Sequence, residues 1–168
     1  MARRAYGLGV LTGIAHSAVC VPDVDEAVRW YTEVLGLRLL SPAYRMEGDA
    51  IERDMGELVP SPVVLKAAIV GIQDDDRVLE IIEYPNVASD PAPEHISLTD
   101  TGITHIGLQC DDVATTREEF EARGVTFLTT GIADIAGVRT SWFRDPWGVV
   151  FILLEKRRRD RPYWRQPR

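Results

Sequence analysis

Two of the three histidines in this 168-residue chain sit in matching surroundings: His16 in Ile-Ala-His-Ser-Ala-Val and His105 in Ile-Thr-His-Ile-Gly-Leu. Both stretches are apolar and β-branched enough to be strands, with the histidine in the middle. An imidazole can be a metal ligand, a proton acceptor or a hydrogen-bonded core group, and one alone on a strand is most simply the last of these. A matched pair shifts the weighting. A displacement of 89 positions carries His16 onto His105, Asp23 onto Asp112, Val24 onto Val113 and Tyr31 onto Phe120. A displacement of 72 carries residues 77–83 onto 149–155, so Glu80 falls on Ile152 and Glu83 on Glu155. Equivalent positions of a duplicated unit face each other across a pseudo-two-fold axis. Both imidazoles could therefore converge on one point, as a metal requires.

The elements that must position these residues recur in the same order. Residues 14–21 read as a strand ended by Pro22-Asp23, and residues 25–35 as a helix. In that helix Ala27, Val28, Tyr31, Val34 and Leu35 recur at helical spacing, Asp23 or Asp25 can cap the start, and Gly36 follows the end. Strands are expected at 37–46, 63–72 and 78–84, with a long loop at 47–62 of the kind used as a lid or binding loop and a tight turn at 73–76. After a Pro-rich linker at 86–102, the pattern restarts. A strand at 103–110, a helix from Asp112-Val113 through Arg123 closed by Gly124, and strands at 125–130, 138–144 and 149–156 complete it. Asp145-Pro146-Trp147-Gly148 forms the last turn, Pro early and Gly late. The expectation is an α+β fold: two tandem βαβββ modules, about 12–85 and 103–156, forming a curved eight-stranded mixed sheet around a cleft. Each half is too small to bury much alone, which argues for a single domain over 1–168 ending in a basic tail at 157–168.

Composition narrows the function classes. The chain is 45% apolar, enough for a core and too much for a disordered chain. No apolar run approaches the roughly 18 residues of a membrane span, and Met1-Ala2-Arg3-Arg4 is not followed by a signal-peptide core, so a cytoplasmic protein without a membrane partner is expected. Cys20 and Cys110 lie in apolar runs and read as reduced, buried thiols. Residues 156–168 carry seven Lys/Arg against one Asp; removing that +6 from the net −7 leaves a body near −13. Such a body has no nucleic-acid-binding face, which needs clustered cations. Pro162, Tyr163, Trp164 and Pro167 make the tail look like a docking arm. Asp74, Asp75 and Asp76 read as a solvated hairpin tip, and Trp30 and Tyr31 as helix packing. Trp142, alternating with Ser141 and Phe143, could line the cleft.

His16 with the following Val-Pro-Asp-Val-Asp-Glu-Ala-Val-Arg-Trp-Tyr-Thr-Glu-Val-Leu-Gly-Leu, the Val-Leu-Glu-Ile-Ile-Glu strand, Thr-His-Ile-Gly-Leu and Phe-Arg-Asp-Pro-Trp-Gly together resemble the vicinal oxygen chelate superfamily. That superfamily groups glyoxalase I, methylmalonyl-CoA epimerase, extradiol dioxygenases, fosfomycin-modifying enzymes and bleomycin-binding proteins. The resemblance runs from Ile14 to Glu155 and is specific for fold, whereas the reactions of the group differ. In its metal-dependent members the ligands come from the first and fourth strands of each half. The resemblance therefore implies His16, Glu80 and His105 as ligands of a divalent cation (Fe, Mn, Ni, Zn or Co), with Ile152 where a fourth ligand would stand.

Ile152 cannot coordinate, and Glu155, three residues on, belongs on the other face of its strand. Three outcomes stay open. Two imidazoles and one carboxylate suffice, as in open non-haem sites. Alternatively, the site has lost its metal and His16, Glu80 and His105 persist as a polar cluster in a binding cleft. In the third, a bulge in the last strand turns Glu155 inward. In glyoxalase-I-like enzymes the residue at the position of Ile152 acts as base, so a base here must come from elsewhere. Tyr44, Arg45, Glu47, Glu52, Glu57 and Lys66 are the polar residues at hand, each more simply a surface charge.

The leading expectation is a divalent-metal enzyme of isomerase or lyase type, glyoxalase-like, that chelates adjacent oxygens of a small oxygen-rich substrate. Alternatives are an extradiol-type dioxygenase and a metal-free small-molecule binding or resistance protein. The expected partners are that small molecule and a second copy in a homodimer, with no nucleic acid and no membrane. No Walker loop, dinucleotide glycine fingerprint or nucleophile elbow competes. If the tail is a docking arm, deleting residues 157–168 will change the melting temperature or the oligomeric state measured by light scattering. Salt-sensitive DNA or RNA binding that disappears with the tail would contradict it.

Overall fold

Asp23 and Asp112 open two helices in the same way. The computed structural model describes residues 13–73, 77–88 and 97–167. In it the Asp23 carboxylate accepts the Glu26 amide at 2.8 Å, and the Asp112 carboxylate accepts the Thr115 amide at 2.7 Å. These side chains satisfy amides that a helix start leaves unpaired, and the amides hold both carboxyls below the usual aspartate range. The helices they cap, α1 (Val24–Glu33) and α3 (Val113–Ala122), are offset by 89 positions at both ends. Before them run β1 (His16–Cys20) and β5 (Ile106–Cys110). After α1 come β2 (Arg38–Glu47), α2 (Asp49–Met55), β3 (Val64–Gly71) and β4 (Val78–Glu83); after α3 come β6 (Ala133–Ile135), β7 (Val138–Arg144) and β8 (Val150–Lys156).

The strands form two four-stranded mixed sheets, ordered β1-β4-β3-β2 and β5-β8-β7-β6. In each, the first strand lies parallel to the fourth and the other pairings are antiparallel. This is the expected α+β class with its two βαβββ modules, and the eight strands divide four and four. The chain separates into two compact units between Val87 and Ala88. In the first, Val24, Ala27 and Tyr31 are fully buried along with Ala68, Val70 and Ile81. In the second, Phe143 stacks on Phe151 at 5.2 Å and meets Phe120 edge-on at 5.7 Å. No helix among the described residues is long and apolar enough to cross a membrane.

The repeat extends to strand register. Ala18 pairs with Glu80 and Gly107 with Ile152, so both displacements read from the sequence meet in one pairing. On the other side, Glu80 pairs with Ile69 and Ile152 with Trp142. It also extends to a partly buried carboxylate. Glu83 accepts the Val24 amide at 2.9 Å, and Glu155 accepts the Val113 amide at 2.9 Å. Beside each stands a cation of the neighbouring strand: Lys66, 3.8 Å from Glu83 and 2.6 Å from Asp25, and Arg139, 2.9 Å from Glu155 and 3.6 Å from Asp112.

Several expectations are corrected. The β7–β8 register is unbroken from Val138↔Lys156 to Arg144↔Val150, so no bulge turns Glu155 toward the other face. His16 begins its strand and His105 precedes one, so neither is central. The supposed loop after β2 holds helix α2, whose Glu52 accepts the Val63 amide at 2.8 Å and bonds the Ser61 hydroxyl. Residues 125–130 form no strand: Phe127 makes one bridge to Phe143, and the pairing resumes at β6. Cys20 is exposed and Cys110 half-buried, both free thiols. Residues 74–76, where an acidic hairpin tip was expected, lie outside the described residues, as do 89–96 of the linker.

The tail docks on the second unit through residues other than its aromatics. Tyr163 and Trp164, 53% and 69% exposed, contact each other edge-on. Gln166 is buried instead: its side chain accepts the Arg158 amide and donates to the carbonyls of Arg158, Arg161 and Pro162. It rests against the Ala136-Gly137 turn joining β6 to β7, where both residues have positive φ, 51° and 80°. A Cβ at Gly137 would stand 2.2 Å from the Pro167 carbonyl oxygen and 2.7 Å from Gln166 Cβ.

Gly137→Ala should therefore expel the tail, seen as faster proteolysis after Arg158 or Arg165 with the rest of the chain intact. Glu155→Ala should cost about 1–3 kcal/mol in urea unfolding, because it leaves the Val113 amide and Arg139 without their acceptor, while Glu155→Gln should lose less.

Candidate functional site

Strand alternation sorts the polar residues of β4 and β8. Glu80 and Glu83 are an odd number apart, so when Glu83 turns to the start of α1, Glu80 takes the opposite face. There it meets His16 from the parallel neighbour β1, Nε2 to Oε2 at 3.2 Å, with the histidine side chain half exposed and the glutamate 19% exposed. Two ligands held about 2.0–2.2 Å from one cation lie about 3.0–3.4 Å apart. The separation suits a shared metal and equally a direct hydrogen bond. Cys20 and Tyr84 follow along the same face by the same alternation. Burial first, and then the nearby Cys20 and Glu80, push the Tyr84 phenol above its usual range, keeping it a proton donor.

The second unit has the same frame with other contents. Ile152, at the position of Glu80, is 8% exposed. Opposite it Gly107 replaces Ala18, and a Cβ there would come within 3.2 Å of Leu154 and 3.7 Å of Ile152. The missing methyl group makes room for Leu154, and Ile152 lies at an ordinary contact distance. Among the described residues of its unit, His105 has no carboxylate partner. Its Nδ1 lies 2.8 Å from the Thr104 hydroxyl, and its ring meets Trp142 edge-on at 4.8 Å.

The structure thus brings His16 and Glu80 together in one unit and sets His105 in the other. Among the described residues no group of three or more His, Cys, Asp or Glu is gathered as a metal site. The donor types, two imidazoles and a carboxylate, fit a divalent cation.

Other polar residues raised from the sequence have other employment. Lys66 faces α1, and its hydrogen bond to Asp25 raises its pKa, so it is an ammonium and no base. Arg45 pairs with Glu47 at 3.0 Å. Ser61 and the Val63 amide hold Glu52 below the usual carboxylate range. Tyr44 is 44% exposed on β2, and Glu57 is exposed. Sequence reasoning missed Thr104 and Tyr84. The signal for Thr104 was the repeat itself, which sets Ala15 at its place in the first unit.

Comparison with known proteins agrees with this frame. The family model described as Glyoxalase/Bleomycin resistance protein/Dioxygenase superfamily matches residues 13–153. A 2-epi-5-epi-valiolone epimerase from Actinomyces sp is 30% identical over an alignment of 154 residues, with 88% of this chain and 81% of that protein covered. Among solved structures, a glyoxalase family protein from Bacillus cereus superposes with a TM-score of 0.72 at 18% identity, covering 90% of this chain and 98% of that one. An antibiotic binding protein from Streptomyces sp. CB03234 gives a TM-score of 0.57 at 19% identity, covering 88% and 98%. With the family model spanning both units and the same βαβββ frame in each, this chain belongs to the Glyoxalase/Bleomycin resistance protein/Dioxygenase superfamily.

Proposed function

We propose that this protein is a divalent-metal isomerase, with His16, Glu80 and His105 as candidate ligands and a small substrate that chelates the cation through adjacent oxygens. The observation that carries the reading is the His16–Glu80 contact at 3.2 Å, repeated in frame by His105 with Ile152 at the fourth place. The similarity to an epimerase supports isomerisation over lysis. Epimerisation removes a proton beside a carbonyl and returns it to the other face of the carbon. The bound cation would supply Lewis-acid stabilisation of the oxyanion formed meanwhile.

The chain's own residues divide the work. Ile152 offers no proton-accepting atom, so the second unit contributes His105 as its candidate donor. Proton transfer falls to the first unit, where the carboxylate oxygen of Glu80 that does not face His16 is the acceptor. Tyr84, kept protonated on the same face, can hydrogen-bond a substrate oxygen. A single domain acting as a homodimer in the cytoplasm completes the reading.

A second reading has its own observation: His16 and Glu80 already satisfy each other, as they would in a metal-free binding protein. One titration separates the two. Protein made without a His-tag and freed of metal is titrated anaerobically with Mn²⁺, Fe²⁺, Ni²⁺, Co²⁺ and Zn²⁺. Binding is expected, weaker than in four-ligand relatives because one carboxylate faces the cation, and abolished by His16→Ala or His105→Ala. Ile152→Glu should tighten it tenfold or more while changing or removing activity. A wild type that binds none of these at millimolar concentration, even with an oxygen-chelating ligand present, leaves the binding-protein reading in possession.

A further inference from the structure

The two histidines are oriented by different groups, and the difference tracks the loss of the second carboxylate. His16 is oriented by Glu80, and the residue before it, Ala15, has no polar side chain. The second unit has Ile152 at the place of Glu80, and the residue before His105 is Thr104, whose hydroxyl lies 2.8 Å from Nδ1. Trp142, at the place of Ile69 in the first unit, adds an edge contact that fixes the plane of the ring. Where the carboxylate is gone, a hydroxyl and an indole have come.

Which nitrogen of a neutral imidazole carries the proton is set by the hydrogen bond the other nitrogen makes. A hydroxyl can serve Nδ1 in two ways. If it donates, the ring proton sits on Nε2 and that nitrogen cannot bind an electrophile. If it accepts, the proton sits on Nδ1 and the Nε2 lone pair is free. Residues that hold a ligating histidine in this second form are worth about 10- to 100-fold in metal affinity.

We propose that Thr104 is a positioning residue that accepts the Nδ1 proton of His105 and so presents the Nε2 lone pair, replacing the orienting carboxylate that the second unit lacks. The inference rests on the metal-centre reading for its purpose, but the proton's location is a property of the metal-free protein and can be measured without it.

The test uses the full-length, ¹⁵N-labelled, metal-free protein at a pH well above the ordinary histidine range, with His105 assigned by comparison with His105→Gln. The wild type and Thr104→Ser should both show a protonated Nδ1 and a lone-pair Nε2. Thr104→Val and Thr104→Ala, which have no hydroxyl, should move the proton toward Nε2. A wild type already protonated on Nε2, or hydroxyl-free variants indistinguishable from it, overturns the proposal. In a parallel Zn²⁺ titration, Thr104→Val should bind about tenfold more weakly and Thr104→Ser close to normally. Absence of Zn²⁺ binding in the wild type would defeat the metal-centre reading and leave the nitrogen resonances to decide the role of Thr104.

Discussion

The contact on which each unit depends is a carboxylate from its last strand accepting the first amide of its helix. Glu83 reaches Val24 and Glu155 reaches Val113, both at 2.9 Å, each beside a cation on the adjoining strand. A helix start leaves its first amides unpaired and electropositive, and a largely buried carboxylate answers both needs. The bond also locks the phase of the strand, because side chains alternate from face to face. Once Glu83 and Glu155 turn toward the helices, positions 80 and 152 must turn away. The chemistry of the site begins with a constraint of folding.

Within that shared frame the units have diverged in a concerted way. The first presents Glu80, with Ala18 and Ile69 paired to it; the second presents Ile152, with Gly107 and Trp142. Opposite the branched alkyl group stands a glycine, whose missing methyl group leaves room for Leu154. The same strand position is consequently charged in the first unit and apolar in the second.

Much of this could be read in the chain. The 89-residue offset predicts both helices and their aspartate caps because caps and helical spacing are local signals, and period-two alternation alone places Glu155 away from Ile152. Three features resisted. Helix α2 lies between Gly48 and Gly56 in a Pro-containing stretch, where its seven residues are too few for a clear apolar period. The strand expected at 125–130 fails because Arg117 organises that stretch by other means, bonding the carbonyls of Thr129 and Gly131 and stacking over Phe127. The Thr104–His105 contact joins sequence neighbours through side-chain rotation, which no spacing rule encodes.

The rims of the sheets carry a consequence of their own. β1 and β5 have five residues each and β6 has three, while the ten-residue β2 contains Pro42 and two register shifts against β3. Short or interrupted margins offer little continuous backbone to another chain, which is how natural sheets avoid aggregating through their edges. Whatever associates with these sheets must therefore recognise side chains rather than lengthen a ladder. Selectivity then rests with residues that substitution can retune without disturbing the backbone.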